Sequence, residues 1–106
     1  MPDQLSVHRN PGRNKAAIPF VVVVQSNQFR PSVQRVVVPL VAASAFASPD
    51  SDAGPHFVID GQTVAFDALQ ISNVPRDMLG PSVASLEAEE DRIVRALDML
   101  LSRAWR

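Results

Sequence analysis

The chain has no cysteine. Disulfides, a thiolate nucleophile and cysteine-ligated zinc are therefore excluded, and the absence is compatible with a reducing compartment. Glycine is scarce: there are four, all isolated, so no Gly-rich phosphate loop exists. Charge of one sign is lacking too. The 10 basic and 11 acidic residues leave a net charge of −1, which gives no electrostatic case for non-specific nucleic-acid binding. No apolar run approaches the ~18 residues of a membrane span. Met1-Pro2-Asp3-Gln4 carries no basic-then-apolar signal, so a cytoplasmic protein is expected.

What is present is a globular composition, 46% hydrophobic and 20% charged. The 106 residues predict one domain, 1–106. A domain this small buries only about two-thirds of its unfolded surface, so dimerisation is a useful extra source of stability.

The first half reads as β. Leu5 to Val7 predicts a short strand, and Asn10-Pro11-Gly12 with Arg13-Asn14-Lys15 a turn with a basic tip. Ile18 to Gln25 is rich in β-branched residues. Val21 to Val24 lacks alternation and predicts a strand covered on both faces, by a helix or another subunit. Val33 to Leu40 is the next strand, with Pro39 expected at its end or at an edge because it cannot donate to a ladder. Residues 42–53 are small and polar and read as a loop. His56 to Ile59 and Gln62 to Phe66 flank Asp60-Gly61, a strong hairpin signal. Leu69 to Ser72 predicts the last strand.

A helix is expected from Ser82 or Ser85, either of which can cap it. Glu87, Glu89, Glu90 and Asp91 lie early in it, and Arg95, Arg103 and Arg106 late, complementing the helix dipole. Leu86, Ile93, Leu97, Leu100 and Ala104 form one face, widened by Val94 and Leu101. The sum is an α+β fold, mostly β: an antiparallel sheet with a hairpin wing and a C-terminal helix.

Catalytic chemistry finds little support. His8 and His56 have no metal-ligand spacing around them and read as surface or sheet-edge residues. The acidic cluster at Glu87 to Asp91 reads as a solvated, dipole-compensating face. Serines are many, but none sits in a Gly-x-Ser-x-Gly turn. Arg9, Arg13, Lys15, Arg30 and Arg35 read as solvated loop charges. No metal, cofactor or enzymatic activity is expected. Two aromatics are more informative. Phe29 lies in the polar loop Gln28-Phe29-Arg30-Pro31, and Trp105 is the only tryptophan. Each is either packed on a core or shown to a partner, and aromatics are enriched in binding hot spots.

The ordered set Leu5-Ser6-Val7, Val22 to Ser26, Arg35 to Leu40, Pro55 to Ile59, Val74-Pro75, Leu79-Gly80, Val83 to Leu86 and Ile93 to Leu97 resembles the CcdB family over essentially the whole chain. That resemblance implies an SH3-like antiparallel barrel with a small β wing and a C-terminal helix, assembled as a homodimer. It implies a toxin of a type II toxin–antitoxin system that binds the DNA gyrase A subunit and traps its DNA-cleavage complex. It also implies a disordered antitoxin as second partner, and no catalysis by the toxin.

Position by position, Asp98 stands where the family has Asn in the final helix. Ser102, Arg103 and Ala104 stand where it has Trp, Gly and a hydrophobe. Trp105 comes three residues later, close to one helical turn and about 4.5 Å further along. The family's Trp stacks on a gyrase arginine; here Arg103 and Arg106 add positive charge beside Trp105, and Asp98 offers that arginine a counter-charge. Gln28 and Phe29 match two apolar loop residues of the family, and Leu5 an aromatic near its N-terminus. The resemblance thus implies Leu5, Gln28, Phe29, Asp98, Ser102, Arg103 and Trp105 as gyrase-facing residues. Two alternatives remain: a retargeted or inactive protein-interaction module, and a MazF-like endoribonuclease, which requires a positive groove and a positioned acid–base pair.

Overall fold

A computed structural model describes residues 2–102. Seven strands build one antiparallel sheet: β1 (Ser6–Arg9), β2 (Phe20–Val23), β3 (Gln34–Ala42), β4 (His56–Ile59), β5 (Gln62–Phe66), β6 (Ser72–Pro75) and β7 (Ser82–Ser85). One α-helix, α1 (Glu90–Leu101), follows them. The order across the sheet is β4-β5-β3-β2-β1-β7, with β6 paired to β3. The fold is mostly β, a curled antiparallel half-barrel with a C-terminal helix, and β4, β5 and the end of β3 form the wing.

Strand β3 is the hub. Residues Val37 to Leu40 pair with β2, while its other edge is shared between β6, opposite Gln34 to Val37, and β5, opposite Leu40 to Ala42. Pro39 lies inside this strand and not at its end. The missing N–H falls between the β5 and β6 ladders, and the Pro39 carbonyl accepts from Asp67 N at 3.2 Å. The expectation of a strand end or sheet edge is therefore not met: Pro39 lies inside a central strand and is tolerated because its missing N–H falls at the gap between two neighbours.

Strand β2 is covered on both faces, as its unbroken apolar run implies. Phe20 and Val22 enter the main core with Val7, Val38, Leu40, Phe57, Ile59, Val64 and Phe66. Ile93 and Ala96 of α1 close that face, each 1% exposed, with Leu97 and Leu100 packed beside them. Val21 and Val23 face the other way onto Val37, Val74 and Leu79. The cover on this second face comes from Val74 of β6 and from Leu79 in the segment after it, while the expected helix covers the first face.

Three boundaries depart from the sequence reading. Ser82 to Ser85 form strand β7 on the outer edge of β1, and α1 begins only at Glu90. Neither serine caps the helix: the Ser85 Oγ accepts from Glu87 N at 3.2 Å, but Leu86 holds the N-cap position of the 3-10 turn Glu87–Glu89 and Glu89 that of α1, neither with a side-chain cap bond. The last expected strand is displaced. Residues Ala68–Gln70 form a 3-10 turn and β6 starts at Ser72, where the open edge of β3 supplies the pairing. β1 starts at Ser6 because Leu5 has φ 69°, a left-handed conformation costing a non-glycine residue roughly 1–2 kcal/mol. Its backbone bridges elements instead, with Leu5 N bonded to Val23 O and Leu86 N to Leu5 O. Among the apolar helix positions, Val94 and Leu101 are exposed and not part of the buried face. Ala104 lies outside the described residues.

The β4–β5 turn is as expected. Ile59 pairs with Gln62, and Asp60 and Gly61 have φ 50° and 77°. A Cβ at Gly61 would meet nothing within 4 Å, so a substitution there acts only through the backbone. Gly61→Ala should lower unfolding stability by about 1 kcal/mol, whereas Ile93→Ala should cost about 2–5 kcal/mol by opening the core. Urea denaturation of both variants checks this order, and an equal loss would contradict it.

Candidate partner-binding surface

The loop between β2 and β3 is where apolar side chains leave the core. A 3-10 turn, Asn27–Phe29, is capped by Ser26, whose Oγ accepts from Gln28 N at 3.3 Å. Phe29 N bonds Ser26 O, Arg30 N bonds Asn27 O and Ser32 N bonds Phe29 O, at 2.9–3.0 Å. The loop backbone is thus internally bonded, while Phe29 is 56% and Val33 64% exposed. Gln28 is exposed beside them. Exposed apolar residues also occur at Val58, Leu69 and Met78, and what distinguishes Phe29 and Val33 is that they share one loop whose backbone is internally bonded.

The loop is also fastened from outside. Gln4 N donates to Asn27 Oδ1 at 2.8 Å, and Arg30 pairs with Asp3 at 3.0 Å. The Gln25 side chain donates to Phe29 O (3.3 Å) and Gln34 O (3.2 Å) and accepts from Val36 N (2.9 Å). Arg35, expected on the surface, is 1% exposed. Its guanidinium donates to four backbone carbonyls: Pro2 (3.1 Å), Ser32 (2.8 Å), Gln34 (3.0 Å) and Arg30 (3.1 Å). Hydrogen bonds from a charged donor contribute roughly 1.5–3 kcal/mol each. Desolvating the cation costs several kcal/mol in return. The arrangement therefore yields more geometric definition than net stability.

A second exposed surface lies on α1. Val94, Asp98 and Leu101 are spaced four and three apart and share one helix face. Asp98 is exposed, Val94 57% and Leu101 75% exposed. Ser102 ends the helix, its N–H bonding Asp98 O at 2.8 Å. Of the expected contact residues, Gln28 and Phe29 are therefore together on the loop, and Asp98 and Ser102 together at the helix end. Leu5 is buried in the main core, at 5% exposure, so its side chain presents no surface to a partner. Its left-handed backbone turns it inward, which the match to a family aromatic did not reveal. Arg103 and Trp105 lie outside the described residues. Val33, Gln25 and Arg35 are the members of the loop site that sequence reasoning missed. A polar residue at each mouth of a loop, next to a β run, was the available signal.

His8 likewise is buried, 2% exposed, and not on the surface. Its Nε2 lies 2.7 Å from Ser6 Oγ, and its Nδ1 2.8 Å from Gly80 O. The Ser6 hydroxyl has two acceptors within reach, this imidazole nitrogen and the Asp3 carbonyl oxygen at 2.6 Å, and the imidazole is oriented by a carbonyl in place of a carboxylate. The pair ties β1 to the segment before β7. The described residues hold no group of three or more side chains suited to a metal ion. None of their helices is long and apolar enough to cross a membrane.

A model of the CcdB protein family matches residues 4–102, which includes the loop, the sheet and α1. The chain belongs to the CcdB family. No curated protein matches it closely. At the level of the family, that membership is to a group of gyrase-directed toxins of toxin–antitoxin systems.

The helix surface is held in place by the loop before β4. Asp50 Oδ1 accepts from His56 N at 2.8 Å and pairs with Arg92 at 3.0 Å, while Arg95 pairs with Asp52 at 3.2 Å. Arg92 also lies 4.8 Å over the Phe57 ring. The His56 N–H, with Arg92 beside it, holds the Asp50 carboxyl below its ordinary 3.8. A depressed carboxyl stabilises the fold fully above its unfolded value and loses that contribution as pH falls through the folded one. Wild type should therefore melt above Asp50→Asn at pH 7. The gap should persist to about pH 5 and close once the pH is below the folded value. A gap independent of pH would contradict this.

Proposed function

We propose that this CcdB-family chain is the toxin of a type II toxin–antitoxin pair. It acts as a homodimer in the cytoplasm, binds the DNA gyrase A subunit, traps the DNA-cleavage complex and is neutralised by a disordered antitoxin. The observation that carries the reading is the family match across the loop and α1, joined to the exposure of Phe29 on a loop whose backbone is already bonded.

The mechanism requires binding rather than chemistry by the toxin. A topoisomerase is held in its cleaved state when a ligand binds that state better than the religated one. Contact residues that are ordered before binding lose less entropy on association, so an aromatic on a fastened loop is an efficient anchor. Phe29 and Gln28 supply one contact region. Asp98 and Ser102, with Arg103 and Trp105 beyond them, supply the other. Asp98 on the Val94–Leu101 face places a carboxylate between apolar neighbours, a fit for an arginine of the target. Leu5 serves from beneath as core. In a homodimer each region is present twice, matching a two-fold gyrase A dimer.

The test is gyrase-dependent DNA cleavage with purified protein and gyrase from the same source. Linear DNA should accumulate with added protein. Phe29→Ala should raise the required concentration at least about tenfold, the effect of losing a hot-spot side chain, and Trp105→Ala should do likewise. No linear DNA from a folded, dimeric protein would remove gyrase poisoning and leave antitoxin binding or another target. RNA cleavage by the same preparation would favour the endoribonuclease alternative.

A further inference from the structure

We infer that Arg35, assisted by Gln25, is a positioning residue that fixes how Phe29 is presented to the partner; this rests on the binding role proposed for Phe29. Arg35 offers no surface to a partner, and Gln25 is half-buried with its amide turned to the backbone. Arg35 is buried, and its donors go to carbonyls alone, on both sides of the loop and on the N-terminal segment.

The geometry is specific to Phe29. Its own carbonyl accepts from Gln25 Nε2, and the next carbonyl, of Arg30, accepts from Arg35 Nη2. Two consecutive peptide planes after the Phe29 Cα are thereby fixed by side chains rooted at the two mouths of the loop. Arg35 also holds Ser32 O and Gln34 O, which sets the path back into β3. Pro2 O, its fourth acceptor, brings in the N-terminal segment, where Asp3 and Gln4 bind Arg30 and Asn27. The backbone around Phe29 is bonded to polar groups, and the ring is left outward beside the exposed Gln28 and Val33.

A planar fork with five donors can reach four carbonyls at once. A lysine ammonium has three donors on a flexible stem and cannot reproduce that span, although it keeps the charge. Arg35→Lys is therefore a test of geometry at constant charge. Gln25→Met is the companion variant, removing the amide with little change of shape, and it keeps the test open if Arg35→Lys does not fold.

Two readouts are needed. The first is amide hydrogen exchange of the free protein. The amides of Phe29, Arg30 and Ser32 should exchange faster in Arg35→Lys and Gln25→Met, while those of β1, β2 and α1 keep their rates. The second is a double-mutant cycle with Phe29→Ala in the gyrase cleavage assay. Each single variant should weaken trapping about tenfold, and the double variant should be little worse than Phe29→Ala alone, because both remove the same contact. A residue that only stabilised the sheet would lower melting and add its full effect to that of Phe29→Ala.

Unchanged exchange in the loop overturns the inference, as does full additivity in the cycle. Should the wild-type protein trap no gyrase, the proposed function falls instead. Exchange in the free protein then decides the role of Arg35 by itself: selective loss of loop protection upholds it, and unchanged protection overturns it.

Discussion

Nine residues of β3 bond to β2 along one edge and to β6 and then β5 along the other, and among the described residues no other strand meets three partners. Every layer of the structure depends on this pairing. It sets Phe20 and Val22 against α1, Val21 and Val23 against the segment around Leu79, and the wing at the far end. Pro39 lets one strand serve two neighbours, because a residue without an N–H is placed where one ladder stops and the next begins. The first turn of the same strand carries Arg35, so the element that organises the sheet also organises the loop beside it.

The two exposed surfaces are built by opposite means. At the loop, neutral carbonyls converge on a buried cation and on an amide, and the apolar side chains are left outside. At the helix, Ile93 and Ala96 are inside, and exposed ion pairs from Arg92 and Arg95 to the preceding loop steady its outer side. Pairs of that kind are individually weak and open to salt and pH. The loop is therefore the stiffer of the two platforms, and Phe29 the better anchor among the described residues.

Sequence made the local parts legible. Asp60-Gly61 predicted its turn because two left-handed residues in a row leave few other choices. The unbroken run in β2 predicted two covered faces because both were needed to hide it. What failed depends on distant partners. Ser82 to Ser85 resembles a helix start by its serines, and becomes a strand because β1 has an unpaired edge. His8 looked like a surface residue because the carbonyl that orients it, at Gly80, is 72 residues away, and Arg35 did because its burial depends on the loop folding Arg30 O and Ser32 O back onto it and on Pro2 O, 33 residues away. Leu5 looked like a contact residue because resemblance aligns positions and is silent on which way a left-handed backbone turns a side chain. The loop was legible as a candidate site through Phe29, whereas its internal fastening was not.

The account centres on one claim: this CcdB-family protein works by presenting Phe29 to another protein from a loop prepared in advance. The most direct measurement is photo-crosslinking with benzoylphenylalanine placed at position 29, and separately at position 58, where Val58 on the wing is more exposed than Phe29. With gyrase A subunit added, the account predicts a cross-link from position 29 and none from position 58. Cross-linking from 58 alone, or from neither position in a protein that still binds gyrase, would contradict it.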